Sequence, residues 1–242
     1  MATKEIQVLD DFEHILKRPT IYVGSVSLTD EQVPIIGRDK ISLVNHRISV
    51  GMYKLFDEVF SNSVDEAKRM KKKMTTITIE VESKDNKIKI LDSGEGFMDA
   101  SKINKKSGLT NVASALTLLR AGSNFENDDT IESLVGTNGM GVSLVNAMSS
   151  FFSVETINPT EYYYQEWINF KPTKPKVLNR GNKKMGTAIT FIPLVKLFDK
   201  CRWSKDVITS LIVLKKRVLE TEENTKDIKI KLIWDGDIIP IE

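Results

Sequence analysis

The chain is 242 residues long, 40% hydrophobic and 28% charged, with a net charge of +2. That length suits one large domain or two small ones, and it buries roughly 70–75% of the unfolded surface, enough for a core without staples. The balanced charge excludes a uniformly basic, nucleic-acid-coating surface, and the single Cys201 excludes an intrachain disulfide and a cysteine-rich zinc site. Residues 1–5 lack the apolar run of a signal peptide, and no stretch approaches the ~20 apolar residues of a membrane span, so an intracellular, cytoplasmic protein with no membrane partner is expected.

Residues 1–12 read as a polar arm leading into a short helix through Phe12, Ile15 and Leu16. Arg18-Pro19 ends that helix, because proline disfavours helical geometry in the residue before it. Residues 20–23 are expected to form a short strand closed by Gly24-Ser25, and 26–47 a loop with short pieces of structure. From Ser49 the spacing of Met52, Leu55, Phe56, Val59, Phe60, Val64 and Ala67 predicts an amphipathic helix. The basic run over residues 68–73 falls at its end, where a solvated cluster is favoured by the helix dipole. Residues 76–81 and 87–91 alternate isoleucine or valine with polar residues and predict a hairpin about the turn 83–86. Helices are expected over 110–121 and 142–148, strands over 151–156, 162–170 and 187–192, then a helix over 205–220 and a strand over 228–234. Tyr162, Tyr163, Tyr164 and Trp167 fit a strand packing both faces rather than a base-stacking platform. His14 and His46 have no partners in sequence for metal or nucleophilic chemistry. Helices and antiparallel-looking strands alternate in blocks, which points to an α+β layered sandwich.

Three segments carry candidate chemistry. Glu58 and Asn62 stand four apart on the predicted helix and share a face, with Asp65 a turn further on. A carboxylate there can orient or deprotonate a water, and an amide oxygen can ligate a hard cation such as Mg²⁺. On this helix alone, a solvated polar stripe is the better reading. Asp92-Ser93-Gly94-Glu95-Gly96 follows a strand, so Asp92 can accept a hydrogen bond from an exocyclic amine while the glycines admit a flat ring; a plain strand-ending turn fits this segment equally well. Gly136-Thr137-Asn138-Gly139-Met140-Gly141 opens the helix over 142–148, where exposed backbone N–H groups and the helix dipole favour phosphate over a merely flexible turn. The spacing is the reverse of the dinucleotide fingerprint, and no P-loop motif occurs anywhere in the chain.

Taken together, these segments resemble the GHKL ATPases. Residues 56–67, Phe56-Asp57-Glu58-Val59-Phe60-Ser61-Asn62-Ser63-Val64-Asp65-Glu66-Ala67, closely resemble the helix that carries the catalytic glutamate and metal-binding asparagine in type IIA DNA topoisomerases, including gyrase B. Residues 17–25, Lys17-Arg18-Pro19-Thr20-Ile21-Tyr22-Val23-Gly24-Ser25, are similar to the N-terminal signature of that family, which mismatch-repair, chaperone and kinase members of the fold lack. Residues 121–125 resemble the ATP lid, 136–141 the phosphate loop, and 185–193 the later Gly-Thr strand. The resemblance implies a single ATP-binding domain over 1–242 with the Bergerat fold, a two-layer α/β sandwich on a mixed, mostly antiparallel sheet. Within it, 1–12 would be the arm and 97–135 the lid, with the transducer, TOPRIM and DNA-cleavage domains lying outside this chain.

The implied activity is ATP binding and hydrolysis with Mg²⁺, driving homodimerisation of a topoisomerase gate during DNA strand passage in concert with the remaining domains. Glu58 would be the general base and Asn62 the Mg²⁺ ligand. Asp92 would bond the adenine amino group with support from Thr187, and Gly96 would lie against the base. Ser123 and Asn124 would contact ribose or phosphates, and Asn138, Gly139, Met140 and Gly141 would wrap the triphosphate. Departures accompany the likeness: Glu95 stands where the gyrase branch has arginine, so an arginine pair with Glu66 is expected to be lost. Asn124 replaces a lid lysine, and the missing cation is expected from a lysine of the transducer. Alternatives are a nucleotide-gated dimerisation module with negligible hydrolysis, or a mismatch-repair or chaperone-type ATPase. Mixed gyrase-like and eukaryote-like features would suit a virus, placing the protein with DNA in a bacterial or virus-infected cell.

Overall fold

The apolar positions between Met52 and Ala67 wind into one 21-residue helix, Val50–Met70, whose buried face carries Met52, Leu55, Phe56, Val59, Phe60, Val64 and Ala67. The computed structural model describes residues 8–36, 40–70, 73, 76–119 and 140–241. In chain order the elements are α1 (Asp11–Lys17), α2 (Thr20–Val23), β1 (Thr29–Ile36), β2 (Ile41–Ile48), α3 (Val50–Met70), β3 (Thr76–Glu82), β4 (Lys87–Asp92), α4 (Asn111–Thr117), α5 (Gly141–Ala147), β5 (Ser149–Ile157), β6 (Glu161–Ile168), β7 (Lys171–Pro172), β8 (Lys176–Asn179), β9 (Gly186–Pro193), α6 (Lys205–Thr221), β10 (Lys229–Trp234) and β11 (Asp237–Ile239).

The main sheet runs β11-β10-β3-β4-β9-β5-β6-β7, with β8 also pairing with β6. Among the described residues only β10 and β3 pair in parallel; the remaining pairs are antiparallel. Alternate residues of β3 (Ile77, Ile79, Val81), β4 (Ile88, Ile90), β5 (Phe152, Val154) and β6 (Tyr163, Trp167) point into the core. The other face carries charge, including the ion pairs Lys87–Glu82 at 2.6 Å and Lys89–Glu80 at 3.8 Å. One dry face and one wet face are what an antiparallel sheet in a two-layer sandwich requires. Burying each large side chain contributes about 1.5–3 kcal/mol, so Phe56, Phe60, Phe152, Tyr163 and Trp167 are the main anchors of the helical layer to the sheet.

The expected α+β sandwich is observed, and the alternating hairpin over residues 76–91 and the helix from Ser49 fall where the periodicity puts them. Three local expectations are corrected. Residues Thr20–Val23 form one helical turn, not a strand: Pro19 enters with helical dihedrals, and Gly24 closes the turn at φ +79°, its N–H donating to Thr20 O at 3.2 Å. That local capping outweighs the strand preference of Thr20, Ile21 and Val23. Residues 26–47 are not mainly loop but the hairpin of β1 and β2, in register from Thr29↔Ile48 to Ile36↔Ile41. Among the described residues of this hairpin only Val33 and Ile48 are buried, so it carries little of the alternation that betrays a half-buried strand. Lys68, grouped in sequence with a solvated run, instead pairs with Glu222 at 2.8 Å and is mostly buried.

Candidate nucleotide site

Strand register places the first part of the site. Asp92, the last residue of β4, faces Thr187 of β9, which faces Thr156 of β5, so three polar side chains stand in one row across three strands. Asp92 is buried; its Oδ1 accepts from the backbone N–H of Gly94 at 2.9 Å and of Thr187 at 3.3 Å, and its Oδ2 from the Ser63 hydroxyl at 3.3 Å. Burial pushes the Asp92 carboxyl up to about 6, the nearby Glu66 charge adds to the rise, and the donated hydrogen bonds oppose it. The Thr156 hydroxyl accepts from the Phe97 N–H at 2.8 Å and lies 3.2 Å from the Thr187 hydroxyl, tying the loop after Asp92 to the sheet. Gly96 sits in this loop at φ +73°, and a Cβ there would come 2.5 Å from the Ile157 carbonyl oxygen, so the turn admits only glycine.

The second part lies along α3. Glu58 is five residues before Ser63, roughly 7–8 Å of helix rise from the Asp92 contact. Lys54, one turn earlier, holds Glu58 Oε1 at 2.7 Å and also reaches Asp57 at 3.3 Å. Burial opposes the charge on Lys54, but the Glu58 and Asp57 carboxylates outweigh it and raise its pKa. Glu58 Oε2 packs against Gly141, the first residue of α5; a methyl group at 141 would overlap that oxygen. Met140 is the N-cap of α5 and partly buried against the core. Behind Glu58, Lys215 of α6 binds Asp57 at 2.9 Å and the Ser61 hydroxyl at 2.7 Å; although burial opposes it, this cation keeps Asp57 below its ordinary range.

Of the residues singled out in sequence, Glu58, Asp92, Gly96, Gly141 and Thr187 take part in these contacts, and Asn62 is exposed on α3 one turn beyond Glu58. Ser123, Asn124, Asn138 and Gly139 lie outside the described residues. The lid expected over 97–135 is described to residue 119; turns over 98–109 lead into α4. With Glu95 in the loop, the loop arginine that would pair with Glu66 is absent, and a different cation takes its place: Arg69, on the same helix as Glu66, binds it through Nε at 2.9 Å and Nη2 at 2.8 Å. Lys54, Ser63, Arg69 and Thr156 escaped the sequence reading. The i, i+4 spacing of Lys54 and Glu58 and the i, i+3 spacing of Glu66 and Arg69 were the signals available; Ser63 and Thr156 act across elements.

Among the described residues no cluster of three or more His, Cys, Asp or Glu side chains is placed to hold a metal by itself. One exposed amide, Asn62, fits the way Mg²⁺ is held with a nucleotide, by one or two protein donors together with phosphates and water. A shallow concavity of about 430 Å³ on the charged face of the sheet, lined by Lys87, Lys89, Glu155 and Tyr164 among others, contains none of the candidate nucleotide-site residues.

A helical layer on a mixed, mostly antiparallel sheet, with a buried strand-end carboxylate braced by the helix that carries a second carboxylate, is the fold of the GHKL nucleotide-binding domains. No family model matches the chain. It is 31% identical over 237 residues to DNA topoisomerase 2 of Meyerozyma guilliermondii, covering 96% of this chain and 16% of that protein. It is also 31% identical over 247 residues to the gyrase B protein of Metamycoplasma arthritidis, covering 98% of this chain and 34% of that one. Among solved structures, the ATPase region of Saccharomyces cerevisiae topoisomerase II superposes with a TM-score of 0.80 at 27% identity, over 97% of this chain and 61% of that chain. The chain is a homologue of the type II DNA topoisomerases and gyrase B, and it matches the ATPase region of these enzymes. It spans about a sixth to a third of the length of the full-length relatives.

Proposed function

We propose that this chain is the ATP-binding and ATP-hydrolysing domain of a type II DNA topoisomerase, and that nucleotide binding drives dimerisation of two such domains into a gate for DNA strand passage. The observation that carries the reading is the pairing on one helix of two functions: Ser63 braces the adenine-type acceptor Asp92, and Glu58 meets Gly141 at the opening of α5. In this reading Asp92 accepts from the adenine amine, Thr187 and Thr156 brace it, and Gly96 lets the loop close beside the base. Ser123, Asn124, Asn138, Gly139, Met140 and Gly141 contact the ribose and phosphates. Lys54 holds one oxygen of Glu58 and fixes its rotamer, while Oε2, beside Gly141, takes a proton from the attacking water. Asn62 would be the protein ligand for Mg²⁺, which when bound would supply positive charge to the phosphate oxygens. DNA and the other topoisomerase domains are the partners of the full-length enzyme.

The test is Glu58→Gln in the full-length protein. ATP binding is expected to persist while phosphate release falls by about 10²–10⁴-fold. Unchanged turnover removes Glu58 from the role of base; absence of ATP binding by the wild-type protein removes the reading as a whole.

A further inference from the structure

The strongest unassigned feature is the charge cluster where α3 ends beside the loop over residues 93–96. Arg69 forks onto Glu66 with two hydrogen bonds, at 2.9 and 2.8 Å, and the same Nη2 lies 3.4 Å from Glu95 Oε2. Glu66 Oε1 also accepts from the backbone N–H of Glu95 at 3.1 Å, and its stem occupies the space beside the Cα of Gly94. The N–H of Gly94 in turn donates to Asp92. A continuous path of contacts therefore runs from Arg69 through Glu66 and the loop backbone to Asp92. Three carboxylates meet here, and Arg69 is the cation seated between two of them. Without it, Glu66 and Glu95 repel one another across the join between helix and loop. The Arg69 side chain is 52% exposed, and so open a pair adds little to global stability. What a forked guanidinium supplies in this setting is geometry.

We propose that Arg69 is a positioning residue of the nucleotide site: by bridging Glu66 and Glu95 it seats the 93–96 loop on α3 in the conformation that presents Asp92 to the adenine amine. The inference rests on the assignment of Asp92 as the adenine acceptor. It also gives Glu95 a purpose, because a carboxylate in the loop is tolerated only while the arginine comes from the helix.

The experiment measures ATP affinity by calorimetry, and KM and kcat for hydrolysis, on the full-length protein carrying Arg69→Gln, Arg69→Lys or the double change Arg69→Gln with Glu95→Arg. For Arg69→Gln, ATP Kd and KM are expected to rise about tenfold, the worth of one charge-assisted contact, with the loss concentrated in KM rather than kcat. Arg69→Lys keeps charge but not the fork and is expected to lose about threefold. In the double variant a guanidinium from the loop reaches Glu66, since the 66 and 95 carboxylates already share one Nη2, and affinity returns to within about threefold of wild type. Wild-type affinity in Arg69→Gln, or no recovery in the double variant while thermal unfolding shows both folded, overturns the proposal. Should Arg69→Gln not fold, a wild-type Kd for Arg69→Lys overturns it instead. A wild-type protein that binds no ATP overturns the parent reading and this one with it, so the two failures are distinguishable.

Discussion

Asp92 is held in a setting that suits recognition and opposes its own charge. Burial raises its carboxyl from 3.8 to about 6, in spite of the Gly94 and Thr187 N–H groups and the Ser63 hydroxyl. Between those two values the folded chain binds more protons than the unfolded one, so stability falls as pH rises through that window. Above about pH 6 the penalty is complete, at about 3 kcal/mol. Asp92→Asn removes it: the amide oxygen keeps the two N–H donors, and the amide NH₂ donates to Ser63. The variant is expected to melt above the wild type at pH 8, with the difference vanishing towards pH 4; calorimetric scans at pH 4, 6 and 8 check this. If Asp92 is the adenine acceptor, as proposed, the same change sets an NH₂ against the adenine amine, and ATP affinity is expected to fall by at least about 10²-fold, as when a buried polar partner is mismatched. For the wild type, a nucleotide titration is expected to show affinity declining below about pH 6 as Asp92 takes up its proton. A flat profile from pH 5 to 8 would count against Asp92 as the acceptor.

At the scale of helices and strands, α5 meets α3 where the Glu58 carboxylate packs on Gly141. Alanine is the better helix former by up to about 1 kcal/mol, so Gly141→Ala should leave Tm unchanged within a few degrees. Its methyl group nonetheless overlaps Glu58 Oε2 and turns the carboxylate away. A displacement of about 1 Å at a reacting group costs on the order of 10²-fold, so phosphate release is expected to drop at least tenfold in a folded protein. Turnover equal to wild type would show that the contact does not set the position of Glu58. The parts of this arrangement legible in sequence are those with a local signal. The α3 face and the alternation in β3 and β4 show because one side of each is buried, and Asp92, Gly96 and Gly141 show because glycines cluster around them. The β1–β2 hairpin was opaque because so little of it is buried, and Thr20–Val23 because a proline and a glycine outside the segment decide its shape. Ser63 and Thr156 were invisible because their partners, Asp92 and Thr187, are 29 and 31 residues away, and only the packing of α3 on the sheet and the register of β5 with β9 bring them together. Arg69 was hidden inside a basic run, and its meaning appears only once Glu66 and Glu95 are seen to share it.

For the molecule as a whole, a site that binds nucleotide on one domain acts on a second domain only if the two associate more tightly when the nucleotide is present. By linkage, ATP favours the dimer to the extent that the dimer binds ATP more tightly than the monomer does, and hydrolysis followed by release restores the starting balance. The Glu58 and Asp92 assignments then make opposite demands on the same equilibrium. Glu58→Gln keeps the binding groups and removes the step that resets them, so with ATP it should accumulate as dimer and remain so after the wild type has spent its nucleotide and dissociated. Asp92→Asn loses the nucleotide itself and should sediment as the wild type does without ATP. A shift of the equilibrium from mostly monomer to mostly dimer requires a preference for the dimer of about 10⁴-fold, which sedimentation velocity resolves at micromolar protein. Identical sedimentation of wild type and Glu58→Gln throughout an ATP time course would mean that Glu58 does not control the lifetime of the closed state. A dimer in Asp92→Asn that forms without nucleotide would mean that association is independent of the site altogether.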